Sequence, residues 1–325
     1  MDIKYDKFNR KYFIIKTNYA IINCIRRIIL QNIPYYSFDS ELMVIKKNNS
    51  ILNNDQLKLR ISNLPVEGVD NSYKIFKEIL EKKYEQVINN NIIEEEEKVV
   101  LEDDELIYQN EKININYEKL NLTMFCKISN DNSKTEYLNV TTDDCEFFIN
   151  NTKIKSPYVK PLLICKLRNK ESLEFSVVSR ISNPIESPLW NCVTGCYFIE
   201  KEENLYHLFI EPRSLQIDEE GILKRAKDII LEKLENVQKI VKKNKKEEIM
   251  DNGKLIIEHD QFTMPNLLTY YLQDHKNIDY CGYRCDHLLN NLSSIYFKTT
   301  GPDISLILND VCSEIKKIIT NIIKV

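Results

Sequence analysis

Several groups of residues have the types and spacing that site chemistry uses. Cys192 and Cys196 are separated by three residues, as are Cys281 and Cys285, with His275 and His287 near the second pair. Thiolates and imidazoles at such spacing can hold zinc. Neither pair has a second paired set close by. Each cysteine also sits in an apolar, strand-like context, which points to ordinary buried cysteine. Asp103-Asp104 and Asp143-Asp144 are carboxylate pairs that could meet a divalent cation, but both fall in loop-like stretches. His259 and His287 each stand alone, and a lone histidine is more often a hydrogen-bonded structural group than a catalyst. No nucleophile elbow, HExxH, phosphate-binding loop or dinucleotide fingerprint occurs. No catalytic residue, no metal site and no cofactor is expected.

Arg26 and Arg27 are the remaining group. They lie side by side in "NCIRRIILQNIP", Asn23 to Pro34, inside an otherwise apolar run. A guanidinium offers a fixed fork of donors, which suits ion pairs at an interface. Buried, it needs carboxylate or carbonyl partners; unburied, it is a solvated helix face. A second stretch, "NLLTYYLQDHKNI" from Asn266 to Ile278, has the same outline. Thr269 and Tyr270 stand there where the arginines would align.

The elements around these residues follow from periodicity. A strand over residues 1–16 leads into a helix over 18–32, with Thr17 or Asn18 as cap. Ile21, Ile22, Ile25, Ile28 and Ile29 form its apolar stripe, and Pro34 blocks continuation. Strand-like segments follow, with a turn at Asn48-Asn49-Ser50 and a short amphipathic piece from Asp55 to Pro65. Residues 71–90 read as a surface helix, the acidic runs within 94–106 as solvated loops, and 113–155 as short strands. A long helix over 222–243 carries Ile222, Ala226, Ile229, Ile230, Leu234, Val237 and Val241 on one stripe, with Asp218 as cap. The lysine-rich segment after it reads as a linker. A compact last part follows: a strand, a helix over 264–275 with Met264, Leu267, Leu268, Tyr271 and Leu272 on one face, more strands, and a helix over 303–323. The last stripe is Ile304, Leu308, Val311, Ile315, Ile318 and Ile322. One outline therefore occurs twice: strand, helix, strands, long helix. The first copy is interrupted and the second is not.

Composition sets bounds on function. The chain has 325 residues, 43% of them hydrophobic, which at roughly 100–200 residues per domain predicts two or three domains with real cores. A net charge of −4, from 45 basic and 49 acidic side chains, argues against a dedicated nucleic-acid binder. The start "MDIKYDKFNRK" lacks the apolar core of a signal peptide, and no stretch approaches the ~20 apolar residues of a membrane span. Nine scattered cysteines do not suggest a disulfide framework, so an intracellular, reduced protein is expected.

In this order the motifs resemble a known family, the amino-terminal domain of the RNA polymerase alpha subunit and its archaeal and eukaryotic third-subunit counterparts. Their signature helix reads N-[AS]-[LI]-R-R, then an apolar run, a proline and strands. Here Asn23-Cys24-Ile25-Arg26-Arg27 precedes Ile28-Ile29-Leu30, Pro34 and Ser37-Phe38-Asp39. The family's D-E-x-x-x-H-R-L-G-L-I-P segment is matched at Asp55, Arg60, Leu64 and Pro65, without its histidine and glycine. Trp190 in "SPLWNC" is similar to the H-A-K-W-x-P motif, and the helix from Ile222 to Val241 to the family's last dimerisation helix. The last part resembles the small eleventh-subunit type, with E-D-H-T, N-L-L and G-Y-x-x-P-H-P-L. Glu258-His259-Asp260, Asn266-Leu267-Leu268 and Gly282 to Leu288 stand in that order; His259 and Asp260 are swapped and the flanking prolines are missing. Such a fusion of third- and eleventh-subunit types is similar to the polymerase subunit of large cytoplasmic DNA viruses.

The resemblance implies an α+β fold. It has an alpha-type dimerisation domain at 1–64 and 165–247, an inserted β-rich domain at 65–164, and a fused second alpha-like module at 248–325, forming an intramolecular pseudo-dimer. The dimerisation face is then Ile21, Ile25, Ile28, Ile229, Leu234, Leu267, Leu268, Tyr271, Val311, Ile315 and Ile318. Asn23, Arg26 and Arg27 dock a large subunit. Third-subunit relatives often carry a cysteine cluster in the insert; Cys126 and Cys145 alone do not complete one. The implied function is a non-catalytic assembly platform of a DNA-directed RNA polymerase. Its partners are the second-largest and largest subunits and a small zinc-bearing subunit. DNA is met only through the complex, with no membrane and no homodimer needed. Host cytoplasm or virion is implied if the source is viral, the nucleus otherwise. A homo-oligomeric adaptor with an alpha-like fold is the alternative.

Overall fold

The computed structural model describes residues 2–67, 122–131, 136–149, 152–214, 217–243, 253–258, 260–285, 292–300 and 304–323. The expected surface helix at 71–90, the acidic run 94–106, Asp103-Asp104, His259, His287 and the lysine-rich linker lie outside them. The chain divides into two compact units, one of residues 1–33 and 183–325 and one of residues 34–182.

The first unit is built from one plan used twice. Strands β1 (Asp2–Tyr5) and β2 (Lys11–Lys16) lead into helix α1 (Tyr19–Gln31). Asn18 caps α1, its side-chain oxygen accepting from the backbone N–H of Ile21 at 3.0 Å. After the second unit's residues, β11 (Val193–Glu202) and β12 (Leu205–Pro212) form a hairpin, followed by α3 (Glu219–Lys243). The sheet order is β1-β2-β12-β11. The later segment repeats the plan: β13 (Lys254–Glu258), α4 (Thr263–Gln273), the hairpin β14 (Ile278–Cys285) and β15 (Leu292–Thr299), then α5 (Ile304–Ile322). Its order is β13-β15-β14. In both sheets the strand before the first helix pairs antiparallel with the last strand of the hairpin.

Both ends of this plan are fixed by local chemistry. Asp218 accepts the N–H of Gly221 at 2.8 Å and so caps α3. Glu219 and Glu220 sit at the positive end of α3, where Lys11 of β2 reaches them at 3.6 and 2.6 Å. Gly253, just before β13, has φ +63°, and a Cβ there would lie 2.3 Å from the carbonyl oxygen of Phe297. Only glycine fits that approach.

The core of the unit lies among the helices. Helix α1 packs on α3 and α4, and α5 packs on the same two helices. Ile21, Ile25 and Ile28 of α1 are fully buried, as are Leu234, Leu267, Leu268 and Ile315; Ile229 and Val311 are nearly so. Each such side chain contributes roughly 1.5–3 kcal/mol through burial. Two expected members of this face differ. Tyr271 and Ile318 are only half-buried, and Ile319 is the fully buried residue on the last turns of α5. At 3.6 residues per turn the step from Ile315 to Ile319 keeps the face, whereas the three-residue step to Ile318 drifts off it. Lysines line the seam between α3 and α5: Lys227 donates to the Ile323 carbonyl (3.1 Å) and Lys316 to Gln238 (2.8 Å).

The second unit holds the remaining strands. β3 (Tyr35–Phe38), β4 (Val44–Asn48), α2 (Asn54–Ser62), β5 (Leu122–Ser129), β6 (Tyr137–Thr141), β7 (Cys145–Ile149), β8 (Thr152–Ile154), β9 (Leu163–Arg168) and β10 (Ser172–Ser182) follow in sequence. The long β10 pairs with β5 on one side and with β3 and β4, end to end, on the other. Leu173, Phe175 and Val177 of β10 point into a core shared with Leu57 and Ile61 of α2 and Ile164 and Leu167 of β9. This pairing moves the compact boundary away from the expected residues 64 and 165. Residues 34–64 and 165–182, grouped by motif with the first module, share a sheet and a core with the insert. The backbone groups of β3 and β4 find their partners on β10, and that ladder decides membership.

Replacing Ile25 with alanine leaves a cavity where α1 meets its neighbours. We expect a loss of about 2–5 kcal/mol, read as a lower denaturation midpoint for the unit containing α1. Leu306→Ala, at a side chain 53% exposed, should shift it by less than about 0.5 kcal/mol.

Candidate functional site

The two motif helices α1 and α4 lie against each other, and their polar residues meet at that contact. Asn18, besides capping α1, donates its amide to the hydroxyl of Tyr271 at 2.8 Å. Arg26 folds back on its own helix: Nε and Nη2 both donate to Asn23 Oδ1, at 3.1 and 2.9 Å. Arg27 crosses over instead. Its Nε donates to Thr263 Oγ1 at 3.1 Å, its Nη2 to Gln31 Oε1 at 3.3 Å, and its guanidinium lies 5.6 Å from the centroid of the Phe262 ring. The adjacent arginines thus do different things. Arg27 joins α1 to the first turn of α4, and Arg26 is held at the surface by Asn23. Among the described residues neither has a carboxylate at ion-pair distance. In α4, Thr269 is buried and Tyr270 is 39% exposed at the aligned positions.

Asp260 organises the start of α4. Its Oδ1 accepts from the backbone N–H groups of Thr263 (2.8 Å) and Met264 (3.3 Å), and its Oδ2 pairs with Lys233 of α3 at 3.0 Å. From two residues ahead of the N-cap position Phe262, it therefore satisfies the first N–H groups of α4 and is also an ion-pair partner of α3. The sequence shows Asp260 only as a swapped motif member. The spacing Asp260–Thr263, an acceptor three residues ahead of the first helical turn, is the signal that could have identified its role. Lys233, by contrast, is one of many lysines on a helix, and nothing in its neighbours marks it.

A shallow cleft of about 160 Å3 opens beside this contact, lined by Asn23, Arg27, Phe262, Thr263, Asn266 and Tyr283 among others. Buried Cys24 also lines it. Burial, with the negative charge of Asp260 next in importance, pushes its thiol up to about 12, so it is protonated at neutral pH and no nucleophile. Burial likewise raises Cys192, Cys196 and Cys312 to about 12 and Cys281 to about 11. Among the described residues no three His, Cys, Asp or Glu side chains converge as metal ligands. His275 sits in the turn after α4, where its Nδ1 accepts from the N–H of Asn277 at 3.3 Å. Asp143 and Asp144 lie in a single 3-10 turn, where Asp144 accepts from Thr141. Trp190 is buried in another such turn, Pro188–Trp190, ahead of β11. Among the described residues no helix is long and apolar enough to cross a membrane.

Residues 253–325 match the model of the RNA polymerase Rpb3/Rpb11 dimerisation domain. They comprise the second run of the plan, from Gly253 through α5. The chain is also 24% identical over 302 residues to a protein of Acanthamoeba polyphaga mimivirus named as a DNA directed RNA polymerase subunit, covering 86% of this chain and 78% of that one. The chain thus resembles a viral alpha-like RNA polymerase subunit, as its motifs imply.

Two outcomes follow from the contact chemistry. Asp260→Ala removes the cap of α4 and leaves Lys233 without its carboxylate. We expect a cost of about 2–3 kcal/mol, measured by chemical denaturation. The buried thiols set the alkaline limit. The unfolded chain releases these protons near pH 9 and the folded chain holds them up to about 12. Stability is therefore retained below pH 9 and falls as pH rises across that window, which denaturation midpoints at stepped pH would show.

Proposed function

We propose that this chain is the non-catalytic assembly platform of a multisubunit DNA-directed RNA polymerase. Its two runs of strand, helix, hairpin and helix act as an intramolecular pair of alpha-like protomers, one of the third-subunit type and one of the eleventh-subunit type. The observation that carries this reading is the repeated plan: two sheets of equivalent strand order whose four helices pack on one another. The later run is the one that matches a dimerisation domain. Joining the halves replaces a bimolecular pairing by an intramolecular one at high effective concentration.

In this reading the catalytic residues and metal belong to the large subunits. The chain binds the second-largest subunit, then the largest, with a small zinc-bearing subunit alongside. It meets DNA only through the complex, inside the cell or the virion. Asn23 and Arg26 are its docking residues. Their place at the edge of α1, where both are partly buried, supports this: among the described residues Arg26 hydrogen-bonds only to Asn23, which leaves further donors for a partner. Arg27 has a divided role, since it also holds α4.

Affinity purification of the chain from its native source, with mass analysis of what travels with it, tests the reading. Both large polymerase subunits should be recovered. Recovery of neither, with a stable symmetric self-assembly in their place, would favour a homo-oligomeric adaptor. Arg26→Glu is the clean charge reversal, because it breaks no bond to α4. We expect it to lower capture of the second-largest subunit at least about tenfold with the denaturation midpoint unchanged. Arg27→Glu should lower both.

A further inference from the structure

The cleft beside α1 and α4 is lined by four side chains that have unused hydrogen-bond donors. Asn23 accepts twice from Arg26 through Oδ1, and its Nδ2 has no partner among the described residues. Arg27 uses Nε and Nη2 within the chain and leaves Nη1. The side-chain amide of Asn266 and the hydroxyl of Tyr283, which is 36% exposed, likewise have no partner among the described residues. These groups converge on one opening, from α1 on one side and from α4 and β14 on the other. The neighbouring carboxylate does not compete. Asp260 is taken by Lys233 and by the first N–H groups of α4.

Asn266 and Tyr283 can also accept, but Arg27 Nη1 and Asn23 Nδ2 can only donate, and the one charge facing the cleft from this set is positive, so an anionic acceptor suits it best. An ionised carboxylate is acceptor-only and takes several N–H and O–H groups at once. Pairing it with a guanidinium gives short, charge-assisted bonds. The opening of about 160 Å3 has room for a carboxylate and the carbons that carry it. Phe262, whose ring centroid lies 5.6 Å from the guanidinium of Arg27, lines the same cleft and adds a cation–π contact to that cation.

We propose that this cleft is the socket for one aspartate or glutamate side chain of the large subunit that docks on α1. Asn266 and Tyr283, from the later run, bind that carboxylate together with Arg27 and Asn23. The inference rests on the assembly reading. It adds that the docking surface is composite: neither run forms the socket alone.

The test uses the full chain co-expressed with the second-largest subunit. Asn266→Asp is nearly isosteric and puts a negative charge where the carboxylate would sit. It should reduce capture at least about tenfold with an unchanged denaturation midpoint. Tyr283→Phe removes a single hydroxyl and should reduce capture by about two- to fivefold. Capture by Asn266→Asp equal to that of the unaltered chain overturns the socket and leaves the assembly reading standing. If Asn266→Asp lowers the midpoint, Tyr283→Phe decides, and equal capture by that variant overturns the socket as well. If the unaltered chain captures no large subunit, the assembly reading falls and the socket falls with it.

Discussion

A small sheet of three or four strands cannot hide from water the far sides of the helices that follow its strands. Each run of the plan in this chain has that problem. The buried isoleucines of α1 and the leucines of α4 would stand exposed if either run were alone. Setting the helices of one run on the helices of the other solves both problems at once. Helices α1, α3, α4 and α5 close a ring of contacts around a common aliphatic core. The remaining features of the unit serve that contact. The caps Asn18, Asp218 and Asp260 fix where helices start, and the sheets hold them at the correct spacing.

The polar residues at the contact have a different task. Aliphatic faces slide over one another at little cost, whereas hydrogen bonds and ion pairs define a register. Arg27 to Thr263, Asp260 to Lys233 and Asn18 to Tyr271 each tie the earlier run to the later one. All three lie at the rim of the core, where water still reduces the cost of taking charge out of solvent. They specify an arrangement more than they stabilise it.

How much of this was legible in the sequence depended on whether the information was local. The helix stripes were legible because burial every 3.6 residues leaves a mark on nearby positions. The stripes of α1 and α3 hold residue by residue, while the end of α5 drifted because a choice between Ile318 and Ile319 requires knowing the helix phase three turns on. The extent of the compact units was not legible. Strand pairing is made by backbone groups that every residue carries, so nothing in Tyr35 to Phe38 announces β10. At the candidate site the pair Arg26-Arg27 was visible, but the split between them was not, since it depends on where Thr263 and Phe262 arrive in space. Tyr283, far along the chain from α1, joined the cleft with no local signal at all.

The order of residues in the two units bears on how the chain is made. Helix α1 is synthesised early, yet the elements it packs on, β11, α3 and α4, all lie beyond residue 192, and α5, which completes the ring, is later still. The unit formed by residues 34–182 emerges between them. Among the described residues the strands of that middle unit pair only with one another, within one continuous stretch that is complete before α3 is made. The unit that contains α1 cannot be completed until α5 has left the ribosome. Over that interval an apolar isoleucine face waits unmatched, the kind of surface that draws chaperones or misassociates. The early helix is therefore the part of the molecule most exposed to translation rate, and the late helices are the ones whose truncation would strand it.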